Sequence, residues 1–97
     1  MITGKQRSYL KGLANQLDPL VFIGKADLTD TVIKEIDNVL NARELVKVKI
    51  QESSLLDPKE TANKLADLLG AEFVQAIGRK FVLYRESKDN KKIYLPK

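Results

Sequence analysis

The stretch VFIGKADLTD, from Val21 to Asp30, combines the end of a strand, a tight loop and the start of a helix. The apolar run Leu20–Ile23 is short and rich in branched and aromatic side chains, which is typical of a buried strand. A Gly-Lys pair at residues 24–25 follows and indicates a loop. Thr29 can then serve as the N-cap of a helix, and Asp30 suits the positive helix end. A strand that passes through a short loop into a helix favours an α/β fold.

Outward from this stretch, two further segments carry the signals of helices. Thr3 and Gln6 form a capping-box pattern ahead of the first helix. Asp57, followed at once by Pro58 and three residues later by a Glu, is a strong start signal for the third helix, and Gly70 is well placed to end it. The predicted apolar stripes of the three helices are Leu10, Leu13, Ala14 and Leu17; Val32, Ile33, Ile36, Val39 and Leu40; and Ala62, Leu65, Ala66 and Leu69.

Three more segments are typical of strands. LVKVKI, residues 45–50, alternates apolar side chains with Lys47 and Lys49, which predicts a strand with one wet face. EFVQAI (residues 72–77) and KFVLYR (residues 80–85), separated by two residues, predict a hairpin. The order α-β-α-β-α-β-β therefore predicts a two-layer α/β domain over residues 1–97. Its four-stranded mixed sheet is largely parallel, and the closing hairpin adds one antiparallel strand.

Composition removes most kinds of catalytic chemistry. The chain of 97 residues has no Cys and no His, so disulfides, thiolate nucleophiles and the usual general base are absent. No phosphate-binding motif of the NTPase type is present, and no serine has a histidine to activate it. We expect no enzyme, no metal and no cofactor, although a carboxylate pair acting on RNA stays open. No signal peptide or membrane span is visible, which predicts a cytoplasmic protein without a membrane partner.

The net charge of +4 is unevenly distributed along the chain. Residues 1–25 and 71–97 are basic, whereas residues 26–70 carry six basic and nine acidic groups. If the fold brings the two ends of the chain together, one face is strongly positive and attracts polyanions. The alternative is a solvated surface on which lysines only serve solubility.

Two short segments are candidates for anion binding. The loop at Gly24 places backbone N–H groups at a helix N-terminus, and Lys25 adds a mobile cation; an ordinary strand-to-helix turn is the alternative. Arg79 and Lys80 lie at the predicted hairpin tip, and Arg85 lies at its end. Tyr84 either stacks on a base or caps the sheet edge. The candidate contacts that rest on charge are Arg7 and Lys11, one turn apart on the first helix, with Lys25, Arg79, Lys80 and Arg85.

Several ordered motifs resemble one family over essentially the full length. They are ITGKQRSYLKGLA at the start, VFIGKADLT in the loop, ELVKVKI in the second strand, VQAIGRKFVLYRES in the hairpin and a lysine-rich tail ending in IYLPK. The chain resembles the bacterial YhbY-like proteins, the stand-alone form of the CRM domain, named after chloroplast RNA splicing and ribosome maturation. The resemblance implies a fold like the C-terminal domain of translation initiation factor three with an added N-terminal helix.

The resemblance also implies RNA binding and, for bacterial members, association with precursors of the large ribosomal subunit. The family's G-x-x-G loop falls on Gly24, Lys25, Ala26 and Asp27, so the glycine at the fourth position of the motif is replaced here by Asp27. Asp tolerates left-handed backbone geometry, so the loop shape can survive. Its carboxylate either opposes a bound phosphate or turns away to cap the second helix.

The resulting hypothesis is an RNA-binding monomer that docks structured rRNA through phosphate contacts during assembly of the large ribosomal subunit, with no small-molecule substrate. The expected RNA contacts are Gly24, Lys25, Ala26, Arg7, Lys11, Arg79, Lys80 and Arg85. The alternative is a protein-binding module of the ribosome that uses the exposed face of the strand at residues 45–50.

Overall fold

The computed structural model describes residues 2–97, which form three helices and four strands. None of these helices is long and apolar enough to cross a membrane. The predicted order of elements is confirmed, and the sheet is four-stranded and mixed as expected. In chain order the elements are α1 (Gly4–Ala14), β1 (Val21–Ile23), α2 (Asp30–Arg43), β2 (Leu45–Ile50), α3 (Pro58–Leu69), β3 (Glu72–Ile77) and β4 (Lys80–Tyr84).

The strands lie in the order β1-β2-β4-β3. β1 is parallel to β2, with Val21 opposite Val48, and β4 is antiparallel to both β2 and β3. Three strands therefore run in one direction and β4 runs in the other. The antiparallel hairpin is confirmed, but the prediction of a largely parallel sheet is wrong, because β4 lies between β2 and β3 and only the β1–β2 pair is parallel. β4 is the last strand in chain order but not an edge strand, because it pairs with β3 on one side and with β2 on the other. A register shift between Phe73 and Gln75 interrupts the regular pairing of the hairpin.

The predicted caps are present at the helix ends. The Thr3 hydroxyl accepts a hydrogen bond from the Gln6 N–H, and the Gln6 side chain accepts one from the Thr3 N–H, which completes the capping box. Thr29 caps α2 and Asp57 caps α3 in the same way. Gly70 ends α3 in the left-handed region with φ +62°, which only glycine adopts without strain. These local signals were therefore sufficient to place the helices.

The main core lies between the sheet and the pair α2–α3. Alternate residues of each strand point to this face, and the helices contribute the apolar stripes expected of them. Together the buried residues form one continuous cluster. Its members are Val21, Ile23, Ile36, Leu40, Val46, Val48, Ile50, Ala62, Leu65, Ala66, Phe81 and Leu83.

A second core lies on the opposite face of the sheet and is covered by α1. Its members are Ile2, Leu10, Ala14, Leu45, Val74, Val82, Tyr84 and Ile93. The sheet and the α2–α3 pair are thus the two predicted layers, and α1 is an addition on the other side. α1 ends at Ala14, so Leu17, the last residue of its predicted stripe, lies beyond the helix and is exposed. Helix α1 therefore covers only part of the face that was expected to be wet.

Candidate nucleic-acid interface

Three connections meet at the end of the sheet where β1, β2 and β3 finish, which we name the loop end. Backbone hydrogen bonds tie them together: the Gln51 N–H donates to the Ile23 carbonyl at 2.8 Å, and the Ile50 N–H donates to the Arg79 carbonyl at 2.7 Å. The connections are the turn at residues 24–29, the loop at residues 51–57 and the hairpin turn at residues 78–79. We name the opposite end, where α2 leads into β2 and β4 leads into residues 85–97, the tail end.

The turn after β1 presents its tip to solvent. The Asp27 N–H donates to the Gly24 carbonyl at 2.9 Å and closes the turn, and Lys25 and Ala26 are exposed at its tip. A Cβ atom at Gly24 would lie 3.0 Å from the Oε1 atom of Gln51, so the two loops are in close contact here. Because only a flexible side-chain end approaches, that contact can yield by a small shift. The turn thus places a lysine and backbone groups at the surface of the loop end.

The expected helix cap by Asp27 is wrong, whereas opposition of its carboxylate to a bound phosphate stays a prediction. Its backbone is left-handed with φ +58°, as expected for a residue in place of glycine. Its carboxylate accepts a hydrogen bond from the Ser54 hydroxyl at 2.7 Å, and Thr29, not Asp27, caps α2. The side chain therefore joins the turn to the loop at residues 51–57. Ser54 was not predicted, because a serine in a polar loop carries no sequence signal for this partner.

Arg79 connects the hairpin turn to the same loop. Its guanidinium donates to the carbonyls of Ile50 at 3.1 Å, Gln51 at 2.8 Å and Ser54 at 2.7 Å. These carbonyls hold the side chain but do not neutralise its charge. Lys80, the next residue, is exposed. Lys25, Arg79 and Lys80 are thus brought to one end of the sheet, on segments that hydrogen bonds hold together.

Arg85 lies at the tail end, away from that group. Its guanidinium forms an ion pair with Asp37 at 2.8 Å and donates to the Leu69 carbonyl and to the Asn41 side chain. It therefore links the C-terminal ends of α2 and α3 to the end of β4. RNA contact by Arg85 stays a prediction, but its donors are already used within the protein.

Arg7 is also remote from the Gly24 turn. The Arg7 Nε atom donates to the carbonyl of Phe73 at 3.1 Å, near the start of β3. The hairpin turn begins five residues later at Gly78, which is about 15 Å along an extended strand. Lys11 is exposed one helical turn after Arg7. Arg7, one of the expected RNA contacts, therefore does not lie beside the Gly24 turn, and its contact with RNA stays a prediction.

The two ends of the chain instead meet each other. The Gln6 side chain donates to the Pro96 carbonyl at 2.9 Å, and the Ile2 N–H donates to the Glu72 carboxylate at 3.2 Å. Residues 85–97 follow the tail end and bring several of their lysines there. The final segment therefore folds back onto α1 rather than toward the loop end.

Glu44 anchors that final segment and was missed by the sequence reasoning. It is fully buried and its backbone is left-handed with φ +68°. Its carboxylate accepts hydrogen bonds of 2.7 Å each from the backbone N–H groups of Ser87, Lys92 and Ile93. Burial alone would raise the pKa of Glu44, but the three donors and the nearby Lys91 outweigh it, so this pKa lies below its ordinary value.

The two lysines on the polar face of β2 have different surroundings. The Lys47 ammonium donates to the Ala14 and Leu17 carbonyls at 3.2 and 3.1 Å, which places it at the negative end of α1. Lys49 is exposed and lies directly opposite Lys80 on β4. The sequence predicted a wet face here but not this pairing, because it depends on which strand lies next to β2.

The loop end offers groups that bind anions rather than metal ions. Among residues 2–97, no group of three or more Asp and Glu side chains is placed to hold a metal. The available groups are cations and the backbone N–H groups of a turn that leads into a helix, and both attract phosphate.

Comparisons with known proteins agree with this chemistry. The chain is 42% identical over 96 residues to the "Probable RNA-binding protein YqeI" of Bacillus subtilis, with 99% of this chain and 100% of that protein covered. It is 41% identical to an "RNA-binding protein" of Haemophilus influenzae, with 99% and 96% covered. A solution structure from Staphylococcus aureus, described as a candidate RNA-binding protein, superposes with a TM-score of 0.83. It is 47% identical to this chain, with 99% of this chain and 100% of that one covered.

The family model for the CRS1 / YhbY (CRM) domain matches residues 2–85. This match spans all helices and strands described above and includes the Gly24 turn and the hairpin. The predicted resemblance is therefore confirmed: this chain belongs to the CRS1 / YhbY (CRM) domain family.

Proposed function

We propose that this protein binds structured rRNA through phosphate contacts at the loop end and acts in assembly of the large ribosomal subunit. The relatives named as RNA-binding proteins support RNA as the partner. The ribosomal role follows from the resemblance to bacterial family members. We further propose that the protein acts as a cytoplasmic monomer, without catalysis.

One observation carries the proposal for the site. Two segments that are distant in sequence, the Gly24 turn and the hairpin turn, bring Lys25, Arg79 and Lys80 to one end of the sheet, and the loop at residues 51–57 connects them. Hydrogen bonds from Arg79 to Ser54 and from Ser54 to Asp27 hold these segments together. Cations on segments held in this way meet phosphates without a large loss of conformational entropy, which favours binding. RNA shape, rather than base identity, would then decide which element is bound.

The alternative of a protein-binding module has less support from the same surface. The part of β2 that would face a partner presents Lys47 and Lys49, whereas strong protein interfaces are centred on aromatic and other apolar anchors. Lysine is depleted at such interfaces. The exposed side of this strand thus fits a polyanion better than an apolar protein surface.

The test is a titration of a fluorescein-labelled rRNA hairpin by fluorescence anisotropy over a range of KCl concentrations. We expect affinity to fall steeply with salt, because each phosphate contact contributes about 0.7–0.9 to the slope of log K against log salt. Lys25→Glu should lower the affinity by about tenfold, which is ~1.4 kcal/mol.

Lys64→Glu is the matched control, because Lys64 is exposed on α3. This helix packs on the face of the sheet opposite the one covered by α1. Lys64→Glu makes the same change in net charge, so any effect of charge alone appears in both variants. Equal RNA affinities of the two variants would show that the Gly24 turn is not part of the RNA interface. Sedimentation of the tagged protein with precursor particles in a sucrose gradient tests the ribosomal role, and migration only at the top of the gradient would contradict it.

A further inference from the structure

A basic groove lies on the face of the sheet that α1 leaves uncovered. It has a volume of about 470 Å³ and continues from the hairpin turn toward the C-terminal end of α1. We name it the sheet groove. The lining residues that matter here are Asn15, Lys47, Lys49, Ile77, Arg79 and Lys80. Four of the nine lining residues are cations, and none of the nine, all within residues 2–97, is acidic.

Lys49 and Lys80 are the centre of this groove. They are direct cross-strand partners on β2 and β4, and both are exposed on the same face of the sheet. The ion pairs found within residues 2–97 are Arg85–Asp37 and Lys91–Glu86, so neither lysine has a carboxylate partner there. Like charges placed directly opposite each other on a sheet destabilise it. A bound anion between the two ammonium groups would remove that repulsion.

The groove floor also limits what kind of anion fits. β2 is paired on both sides by β1 and β4, and β4 is paired on both sides by β2 and β3. Neither of the strands that carry Lys49 and Lys80 therefore has a free edge to which an acidic peptide could add its backbone hydrogen bonds. The free edge of β3 lies on the side of that strand away from these two lysines. A nucleic-acid backbone needs only cations, and lysine is a common point-charge partner for phosphate. Phosphate thus fits this surface better than an acidic peptide.

The sheet groove is continuous with the loop end. Arg79 and Lys80 belong to both, since the hairpin turn lies between the two surfaces. An RNA strand that contacts Lys25 can therefore pass the hairpin turn and enter the groove without leaving positively charged surface. The groove lining contains no aromatic side chain, so the strand would be held by its phosphates and not by stacked bases.

We propose that the sheet groove is a second RNA contact, in which Lys49 and Lys80 hold the phosphates of a single strand that continues from the element bound at the loop end. This inference rests on the proposed function, because it assumes RNA at the loop end. It adds Lys49 to the interface and extends the interface onto the α1 face of the sheet.

The test compares three single variants with the same chemical change: Lys49→Gln, Lys25→Gln and the control Lys64→Gln. The probe is a fluorescein-labelled RNA hairpin with a single-stranded tail, titrated by anisotropy at several KCl concentrations, and the same hairpin without the tail. For the tailed probe, Lys49→Gln should lower the affinity by about threefold to tenfold and reduce the salt slope by about 0.7. For the tail-less probe it should match Lys64→Gln.

Thermal unfolding supplies a second readout that a merely structural role would not give. Because Lys49→Gln removes a like-charge pair, it should leave Tm unchanged or raise it while affinity falls. A parallel fall in Tm and in affinity, reproduced with both probes, would show a structural effect and overturn the proposal.

The remaining outcomes separate the groove from the loop end. Weak binding by Lys25→Gln with normal binding by Lys49→Gln would overturn the groove and leave the proposed function intact. If the wild-type protein binds neither RNA at low salt, the proposed function itself fails. In that case, binding of labelled poly-glutamate that depends on Lys49 would assign the groove to an acidic protein and overturn this inference.

Discussion

The loop end and the tail end of the sheet each contain an acidic residue with positive φ, but the two carboxylates have different surroundings. The only two non-glycine residues with positive φ in residues 2–97 are Asp27 at +58° and Glu44 at +68°. They lie just outside the two ends of α2, and both are carboxylates. Asp27 is exposed and accepts a hydrogen bond from one hydroxyl. Glu44 is fully buried and accepts hydrogen bonds from three backbone N–H groups.

This difference shows that the two ends have different tasks. A buried carboxylate with three N–H donors makes strong charge-assisted hydrogen bonds. If this carboxylate moved away, all three backbone N–H groups would lose their acceptor. Glu44 therefore fixes the final segment of the chain against the fold. Asp27, whose carboxylate makes a single part-buried hydrogen bond, shapes a turn in which Lys25 and Ala26 stay exposed. The tail end thus stabilises the domain, whereas the loop end leaves Lys25 and Ala26 exposed and is the end that we propose to contact RNA.

The largest effect is expected from Glu44→Gln. The amide nitrogen would face a backbone N–H donor that the carboxylate now binds, so at least one buried donor loses its acceptor. We expect a loss of about 2–4 kcal/mol in the free energy of unfolding. Urea unfolding at neutral pH measures it. The matched control is Asp27→Asn, which should lower the free energy of unfolding by less than about 1 kcal/mol. Equal losses in the two variants would show that the two carboxylates stabilise the fold to the same extent.

The same comparison has a pH dependence. The pKa of Glu44 is lowered in the folded protein, so the unfolded chain binds the proton more tightly. The stabilisation by its carboxylate is therefore fully present above the unfolded pKa, about 4.3, and is lost as the pH falls through the lower folded value.

The difference in unfolding free energy between wild type and Glu44→Gln should thus be constant above about pH 5 and shrink at more acidic pH. Urea unfolding at a series of pH values tests this. A difference that grew on acidification would contradict the lowered pKa of Glu44.

A smaller effect is expected from Arg85→Lys. Lysine keeps the charge but cannot reproduce the guanidinium contacts with Asp37, Asn41 and the Leu69 carbonyl. We expect a loss of about 1–3 kcal/mol in unfolding free energy with no change in RNA affinity or salt slope, measured well below Tm.

The same exchange at the loop end, Arg79→Lys, is the matched variant. It should lower both stability and RNA affinity, because Arg79 holds the loop at residues 51–57 to the hairpin turn. If Arg85→Lys weakened RNA binding as much as Arg79→Lys, Arg85 would belong to the RNA interface after all.

The smallest effect is expected from Asp27→Gly. Glycine keeps the left-handed backbone and removes a negative charge beside Lys25, so RNA affinity should rise by about twofold to threefold. Ser54→Ala should have the opposite effect, because it frees the Asp27 carboxylate. In the Asp27→Gly background, Ser54→Ala should no longer change affinity. Anisotropy titrations of the two single variants and the double variant measure this coupling, and simple additivity would argue against it.

Much of the fold was predictable because its signals are local. The caps at Thr3, Thr29 and Asp57 each depend on a partner three residues away, and the hairpin depends on a two-residue turn. Apolar periodicity then assigns the buried face of each element. The neighbour of each strand was not predictable in the same way, because several pairings satisfy the same pattern of buried residues.

The candidate site was predictable only in part. Gly24, Lys25, Arg79 and Lys80 were identified from charge and turn chemistry, and the structure brings them to one end of the sheet. Their hydrogen-bond partners were not identified. The three carbonyls bound by Arg79 lie 25 to 29 residues away in sequence, and a backbone carbonyl is present at every residue, so no letter of the sequence marks it.

The central place of β4 has a consequence for synthesis of the chain. β2 and β3 touch through β4 and not through each other, so the sheet has a gap until the final strand arrives. A nascent chain that has not yet released residues 80–84 from the ribosome leaves β2 and β3 each with an unpaired edge and lacks the core residues Phe81 and Leu83. The sheet of this domain therefore cannot form completely until residues 80–84 have left the ribosome, and a chain that stops before them lacks the strand that joins β2 to β3.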